Sequence, residues 1–380
     1  MQVSEWLDAL VGFDTTSHKS NLALIDYLED AVLPWASETI RLSNPKGDKA
    51  TLIVRVGPDV PGGMVLSGHT DVVPVTGQAW ETDPFTLIEK ENRLYGRGTT
   101  DMKGFLACAL AMAETMQAEA LSKPLYLVLS YDEEIGCLAA PDIATYFKEK
   151  QPALVLVGEP TEMQVVHAHK GVFTFETIVT GKEAHSSLVH IGVNAIAYAS
   201  RLITYLQELA VEYQSHEPVE GFEPPYSTIH VGVIHGGEAR NIIPKHCSFE
   251  WEIRPLPTAA HQEDILQRVE TFSNALEKEM KAVQPDTGIE TINVVRNSGL
   301  KGNTHAEAEA LMLSVTGQNA AKTMAFATEA GIFQRGGLPV ILCGPGSVAQ
   351  AHQPNEWIAK EQVVACSALL EKLTDRLCRD

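Results

Sequence analysis

The chain has 380 residues, 44% apolar and 21% charged, an ordinary globular balance with room for about two domains. Its 49 acidic and 29 basic side chains leave a formal net charge of −20, which argues against a nucleic-acid partner and against an anionic membrane surface. No apolar run approaches the ~20 residues that cross a bilayer, and Met1-Gln-Val-Ser-Glu-Trp6 lacks the basic-then-apolar start of a secretory leader.

Helical spacing of apolar residues predicts helices over 3–12 (Trp6, Leu7, Leu10, Val11) and 20–33 (Leu22, Leu24, Ile25, Leu28). Short β-rich runs follow at 51–56 and 64–67, then a long helix from Gly104 to about Leu121. Leu125–Tyr131 reads as a buried strand, 139–149 as a helix and Ala153–Val157 as another buried strand. Strands separated by helices imply an α/β fold, a mixed but largely parallel sheet flanked by helices.

The pattern changes near residue 171. Phe173–Val179 alternates with period two, and a helix of about twenty residues follows from Asn194 to Tyr213. After a loop rich in Pro and Glu (217–225) come strands at 226–234 and 247–254 and a helix over 258–283. This βαββαβ-like order predicts a smaller α+β domain inserted into the first. The domains are thus read as 1–174 with 291–380, and 175–290. Near Asn297 the first pattern resumes, with a helix at 305–315, the strand Pro339–Cys343 and a helix at 360–377. The six cysteines (Cys108, Cys137, Cys247, Cys343, Cys366, Cys378) form no C-x-x-C pair, which suits free thiols in a reducing, cytoplasmic setting.

Chemistry-bearing residues collect just after the predicted strands. His69 and Asp71 follow the strand at 64–67, Asp132-Glu133-Glu134 follow 125–131, Glu159 follows 153–157, and His352 lies beyond 339–343. Asp101 sits in a glycine-rich turn, Gly96-Arg-Gly-Thr-Thr-Asp-Met-Lys-Gly104, before the long helix. Singly, each has an ordinary explanation as a cap, a solvated loop or a structural histidine. Together they lie where open α/β sheets build their sites, outside the carboxyl ends of the strands. Two imidazoles and three carboxylates converging there suit two zinc ions, with an open position for water. Asp71 is placed to accept from the His69 ring and orient it. His167 and His169 alternate on one strand-like segment and are read as packing or surface residues. His230, His235, His246 and His261 have no ligand partners in the sequence and carry no assignment.

Five segments in order carry a resemblance: Ser67-Gly-His-Thr-Asp-Val-Val-Pro74, Tyr95-Gly-Arg-Gly-Thr-Thr-Asp-Met-Lys-Gly104, Asp132-Glu-Glu-Ile-Gly136, Gly158-Glu-Pro-Thr161 and Gly181-Lys-Glu-Ala-His-Ser-Ser187. With them the chain resembles the di-zinc amidohydrolases and exopeptidases that include aminoacylase, carboxypeptidase G and succinyl-diaminopimelate desuccinylase. Ala327-Thr-Glu-Ala-Gly-Ile-Phe333 and the Cys343–Glu356 stretch are most similar to the branch that deacetylates N-acetylornithine in arginine biosynthesis. Asn355 departs from the aspartate expected there.

The resemblance implies a zinc-exopeptidase-like catalytic domain with an inserted ferredoxin-like dimerisation or lid domain, and a homodimer. It implies two Zn²⁺ per subunit, with Co²⁺ able to substitute. His69 and Glu159 would hold one ion, His352 and Glu134 the other, with Asp101 bridging through a cis Asp101–Met102 peptide. Glu133 would be the general base that activates a zinc-bound water, and Asp71 would support His69. His185 would reach a partner subunit's site as an oxyanion donor, while Arg254 and Asn241 would bind the N-acyl amino-acid substrate. A desuccinylase, a broader N-acyl amino-acid deacylase or dipeptidase, and a catalytically silent metal- or amino-acid-binding protein are the alternatives.

Overall fold

The structure, a computed structural model, describes residues 1–116, 120–216 and 218–379, with no side chains described for 259–262. Position 217 of the predicted loop, 117–119 of the predicted long helix and the side chain of His261 lie outside the described residues. The chain divides into two compact units. The first comprises Met1–His167, Gly302–Lys322 and Thr328–Asp380, and the second Ala168–Lys301 with Thr323–Ala327.

In chain order the first unit begins with α1 (Val3–Val11) and α2 (Leu22–Val32), each turning one apolar stripe inward. Then come β1 (Glu38–Ser43), β2 (Ala50–Val56), β3 (Met64–His69), the hairpin β4 (Ile88–Lys90) and β5 (Arg93–Tyr95), and α3 (Gly104–Glu114). Every residue of α3 from Gly104 to Ala113 is buried, as its unbroken Phe/Leu/Ala/Cys/Met composition requires. β6 (Leu125–Ser130), α4 (Ala140–Lys148), β7 (Leu154–Val157) and β8 (Val166–His169) follow. The second unit contributes β9 (Val172–Thr180), α5 (Ala195–Gln214), β10 (Thr228–Gly236), β11 (His246–Arg254), α6 (Ala259–Val283) and β12 (Gly288–Asn297). The chain closes with α7 (Ala306–Thr316), β13 (Lys322–Met324), α8 (Ala330–Arg335), β14 (Val340–Leu342), β15 (Trp357–Ala359) and α9 (Lys360–Leu377).

The main sheet has the order β1-β2-β6-β3-β7-β14-β8-β13. Its four central strands β6, β3, β7 and β14 are parallel, while β1, β2 and β8 pair antiparallel. The central strands are buried throughout, which explains the apolar runs that begin β3 and β6 and fill β7 and β14. Alternate residues diverge: Leu66, Leu127 and Leu156 enter the core shared with α1, α3 and α9, whereas Tyr126 turns the other way to meet Phe147 of α4 edge-on at 5.1 Å. Register brings the carboxyl ends level, with His69 opposite Ser130, and Ser67 and Leu342 both opposite Val157.

The second unit is a βαββαβ fold with an antiparallel sheet ordered β10-β11-β9-β12, the ferredoxin-like arrangement. Phe173, Phe175, Thr177 and Val179 of β9 point inward in alternation. The unit is wider than the 175–290 read from the sequence. β12 pairs with β9 along its length, so the segment before Asn297 belongs to this sheet. Among the described residues no helix is long and apolar enough to cross a membrane. All six cysteines are free and buried.

Candidate metal centre

His69 ends β3, 1% exposed, with its ring held at both nitrogens. Nδ1 lies 2.8 Å from the main-chain oxygen of Asp71, which can only accept, so Nδ1 carries the proton and Nε2 is left for a ligand. Nε2 faces Asp101 Oδ1 at 3.0 Å. The other Asp101 oxygen, Oδ2, lies 3.2 Å from His352 Nε2, which is also 3.1 Å from Glu134 Oε1. Asp101 therefore spans the two histidines, and its peptide bond to Met102 is cis. Burial alone would raise the Asp101 carboxyl, but its bonds to His352 and His69 hold it far below the usual carboxylate range.

Among the described residues, two groups of side chains have ligand atoms close enough to share an ion: His69 with Asp101 and Glu134, and His69 with Glu133 and Glu159. The Glu159 Oε1 atom is buried and has no hydrogen-bond partner among the described residues. Burial and then the charge of Asp101 push Glu159 well above its ordinary value, against the pull of His69. Glu133 is driven up by burial and by Glu159. Crowded, desolvated carboxylates with an orphaned oxygen fit a divalent cation, which supplies the missing positive charge. The donor set of imidazole nitrogen and carboxylate oxygen fits zinc.

The three carboxylates after β6 part company. Asp132, at φ +56, turns back to the buried ammonium of Lys49. Glu133 and Glu134 point into the site, as opposite orientation of neighbours on an extended chain would not by itself produce. Asp71 makes that possible through a second role that the sequence reading does not give it. Its carboxylate faces the His69 ring at 3.6 Å, within ion-pair range but beyond hydrogen-bond distance, and its main-chain oxygen holds Nδ1. The carboxylate also accepts from Ser17 Oγ at 2.7 Å and from the N–H groups of Glu133 and Glu134 at 3.1 and 3.3 Å. It pins the segment that presents both glutamates. Cys137 donates its thiol to Glu133 Oε1 at 3.5 Å.

Three neighbours carry no role in the sequence reading. Glu329 is 1% exposed, its Oε1 makes no hydrogen bond among the described residues, and burial lifts it to about 7. Lys103 is fully buried, donates to the carbonyls of Leu10 and Phe13 at 2.9 and 3.0 Å, and is drawn down to about 7 by burial. Glu356 accepts from the turn that carries Asp101. A lone acidic or basic letter in a motif carries no signal of such partners. Asn355 accepts from the N–H of Glu81 at 2.8 Å and sits at φ +58, a conformation asparagine tolerates.

His185, Asn241 and Arg254 belong to the second unit. His185 Nδ1 is 2.8 Å from Ser187 Oγ, and Ser186 N–H donates to the Asn241 carbonyl at 3.0 Å, so His185 and Asn241 lie on adjoining segments. Arg254 is engaged by Glu252 through two bonds of 3.0 and 3.2 Å. His167 pairs with Glu309 at 2.9 Å, and buried His169 donates to the Lys170 carbonyl at 2.8 Å.

Against known proteins, residues 65–376 match the model of peptidase family M20/M25/M40. The chain belongs to that family. It is 37% identical to an acetylornithine deacetylase of Myxococcus xanthus, over 98% of this chain and 96% of that one. It is 34% identical to an acetylornithine deacetylase of Proteus mirabilis, over 96% and 92%. A metallo-carboxypeptidase of the M20 family from Sulfolobus solfataricus shares the fold, with a TM-score of 0.74, 17% identity and 98% of each chain covered. The chain is an enzyme that hydrolyses amides in a metal-dependent manner.

Proposed function

We propose that this enzyme removes the acetyl group from Nα-acetyl-L-ornithine, releasing ornithine and acetate, with two zinc ions per subunit. The observation that carries the substrate is the 37% identity to an acetylornithine deacetylase across nearly the whole of both chains. His69 and Glu159 are assigned to one ion, His352 and Glu134 to the other, and Asp101 to both. Bound divalent ions supply Lewis acidity and make water acidic enough to be a nucleophile near neutral pH.

The chain's own residues do the rest. Glu133 stands beside His69 and Glu159 without pairing to either histidine, so it can take a proton from the attacking water. Its raised affinity for protons, a result of burial, lets it hold that proton and return it to the departing α-amine. Cys137 steadies the glutamate, and Asp71 holds the main chain beneath it. The second unit is assigned to dimerisation. His185 of a partner subunit serves as the donor to the developing oxyanion. Arg254 is assigned to the substrate carboxylate, which would replace Glu252 on the guanidinium. Asn241 is assigned to the substrate as well. The enzyme is placed in the cytoplasm.

The test is acetate release from Nα-acetyl-L-ornithine beside succinyl-diaminopimelate and a dipeptide, with Co²⁺ replacing Zn²⁺ in parallel. Glu133→Gln should keep its metal and lose about 10²–10⁴ in kcat. Faster turnover of the succinylated substrate or the dipeptide would reject the acetylornithine assignment. A folded E133Q protein stripped of metal would make Glu133 a ligand. His185→Ala mixed with E133Q subunits should recover part of the activity, whereas inactive heterodimers would remove His185 from the partner's site.

A further inference from the structure

Asp101 meets both histidines, yet it rides on a turn with Gly98 at φ +82, a path with little rigidity of its own. Single bonds run from the turn to the main-chain oxygens of Pro84, Glu356 and Trp357, but one buried carboxylate gathers three of its N–H groups at once. Glu356 is 1% exposed. Its Oε1 accepts from the N–H groups of Thr100 at 2.9 Å and Asp101 at 3.1 Å. Its Oε2 accepts from Gly98 N–H at 3.0 Å and from Arg97 Nη1 at 2.8 Å. Arg97, equally buried, donates onward to the Gln353 carbonyl at 3.3 Å and to the side-chain oxygen of Gln78. The Gln78 amide nitrogen then donates to the main-chain oxygen of His352 at 2.8 Å.

This chain of bonds joins the main chain of one ligand to the main chain of another. His352 needs such support. Its side chain is half exposed and it sits at φ +63 in a loop, whereas His69 ends one buried central strand and Glu159 lies two residues past another. We infer that Glu356, acting through Arg97 and Gln78, is a positioning residue that holds Asp101 and His352 at the spacing required by the second metal ion. It touches neither ion nor substrate. Four donors on one carboxylate make it strongly directional, so it can fix the turn rather than merely attract it. The inference rests on the two-ion reading proposed above.

The experiment titrates metal-free wild type, Glu356→Gln and Gln78→Ala with Zn²⁺ and resolves the two binding steps, with far-ultraviolet circular dichroism confirming folding. E356Q preserves size but turns an NH₂ group toward main-chain donors. It should bind the first ion within about threefold of wild type and the second about 10–100-fold more weakly, the range for removed supporting partners of metal ligands. Its kcat at limiting zinc should fall in parallel with second-site occupancy, KM should stay within about threefold, and added zinc should restore much of the rate. Q78A leaves the buried Glu356–Arg97 pair intact and should weaken the second ion by about threefold or more, so it decides the matter should E356Q fail to fold. Wild type that binds fewer than two ions rejects the two-ion reading and the inference with it. Wild type with two ions and folded variants with unchanged second-site affinity, even at lowered Tm, overturn the inference alone.

Discussion

Gly158 shows how a single position serves both packing and chemistry. A Cβ there would lie 2.0 Å from the ring of Phe105, a buried residue of α3 that cannot easily withdraw. Gly158→Ala should cost about 1–3 kcal/mol or more through overpacking. It should also weaken zinc, because the backbone shift is passed directly to Glu159. Gly47→Ala has nothing within 4 Å and only its φ of +69 to strain it, so it should cost about 1–2 kcal/mol and leave zinc affinity alone. Urea midpoints with zinc titrations check both, and equal metal affinity in the two variants would reject the coupling. At the same scale, His69 is legible as a candidate ligand because its type and place after a strand mark it. The partner of its Nδ1 is not, since the choice between a carboxylate and a carbonyl two residues away depends on backbone direction.

In the second unit, β9 and β11 carry the cross-strand pair that anchors the element. Trp251 stacks on Phe175 at 4.3 Å and donates from its indole to Thr177 Oγ1 at 2.9 Å. Trp251→Phe keeps the stack and loses the bond, which should cost about 1 kcal/mol. Trp251→Ala empties the site and should cost about 3–5 kcal/mol. Equal losses in denaturant melts would mean that the stack contributes nothing. β9 was readable because its burial alternates strictly, whereas β12 was not placed with it. Ile292 and Val294 of β12 are exposed at 41% and 61%, so its β-branched residues show no inward period. The hairpin β4–β5 and β1 escaped for the related reason that they are short or half-buried, with no apolar run to mark them.

For the molecule as a whole, the metal centre sets the pH dependence. Burial raises Glu133, Glu134 and Glu159 and lifts Glu329 to about 7, while hydrogen bonds to Asp101 and Glu134 hold His352 at about 10. In metal-free protein these folded-state groups keep protons that the unfolded chain releases above about 4.5 for the glutamates and 6.5 for the histidine. The stability they contribute is present below those values and is lost as pH rises through the folded ones. Asp101, held low, acts in the opposite sense, but only below about 4. The metal-free protein should therefore soften from about pH 5 to 10. Ligation requires the deprotonated forms, so the gain in Tm on adding zinc should widen over the same range. A gain independent of pH, followed by thermal melts, would reject this ligand set.

The sequence by itself determined the kind of chemistry and the layered α/β plan. Residue type decides what can bind a cation, and long apolar runs decide which strands are buried on both faces. Tertiary structure alone decided how the ligands are held. Asp71 reaches the Glu133 main chain, and Glu356 gathers the Asp101 turn, across separations of 62 and 255 positions. Hydrogen bonds to main-chain groups leave no mark in the sequence of the partner, because every residue but proline offers the same N–H.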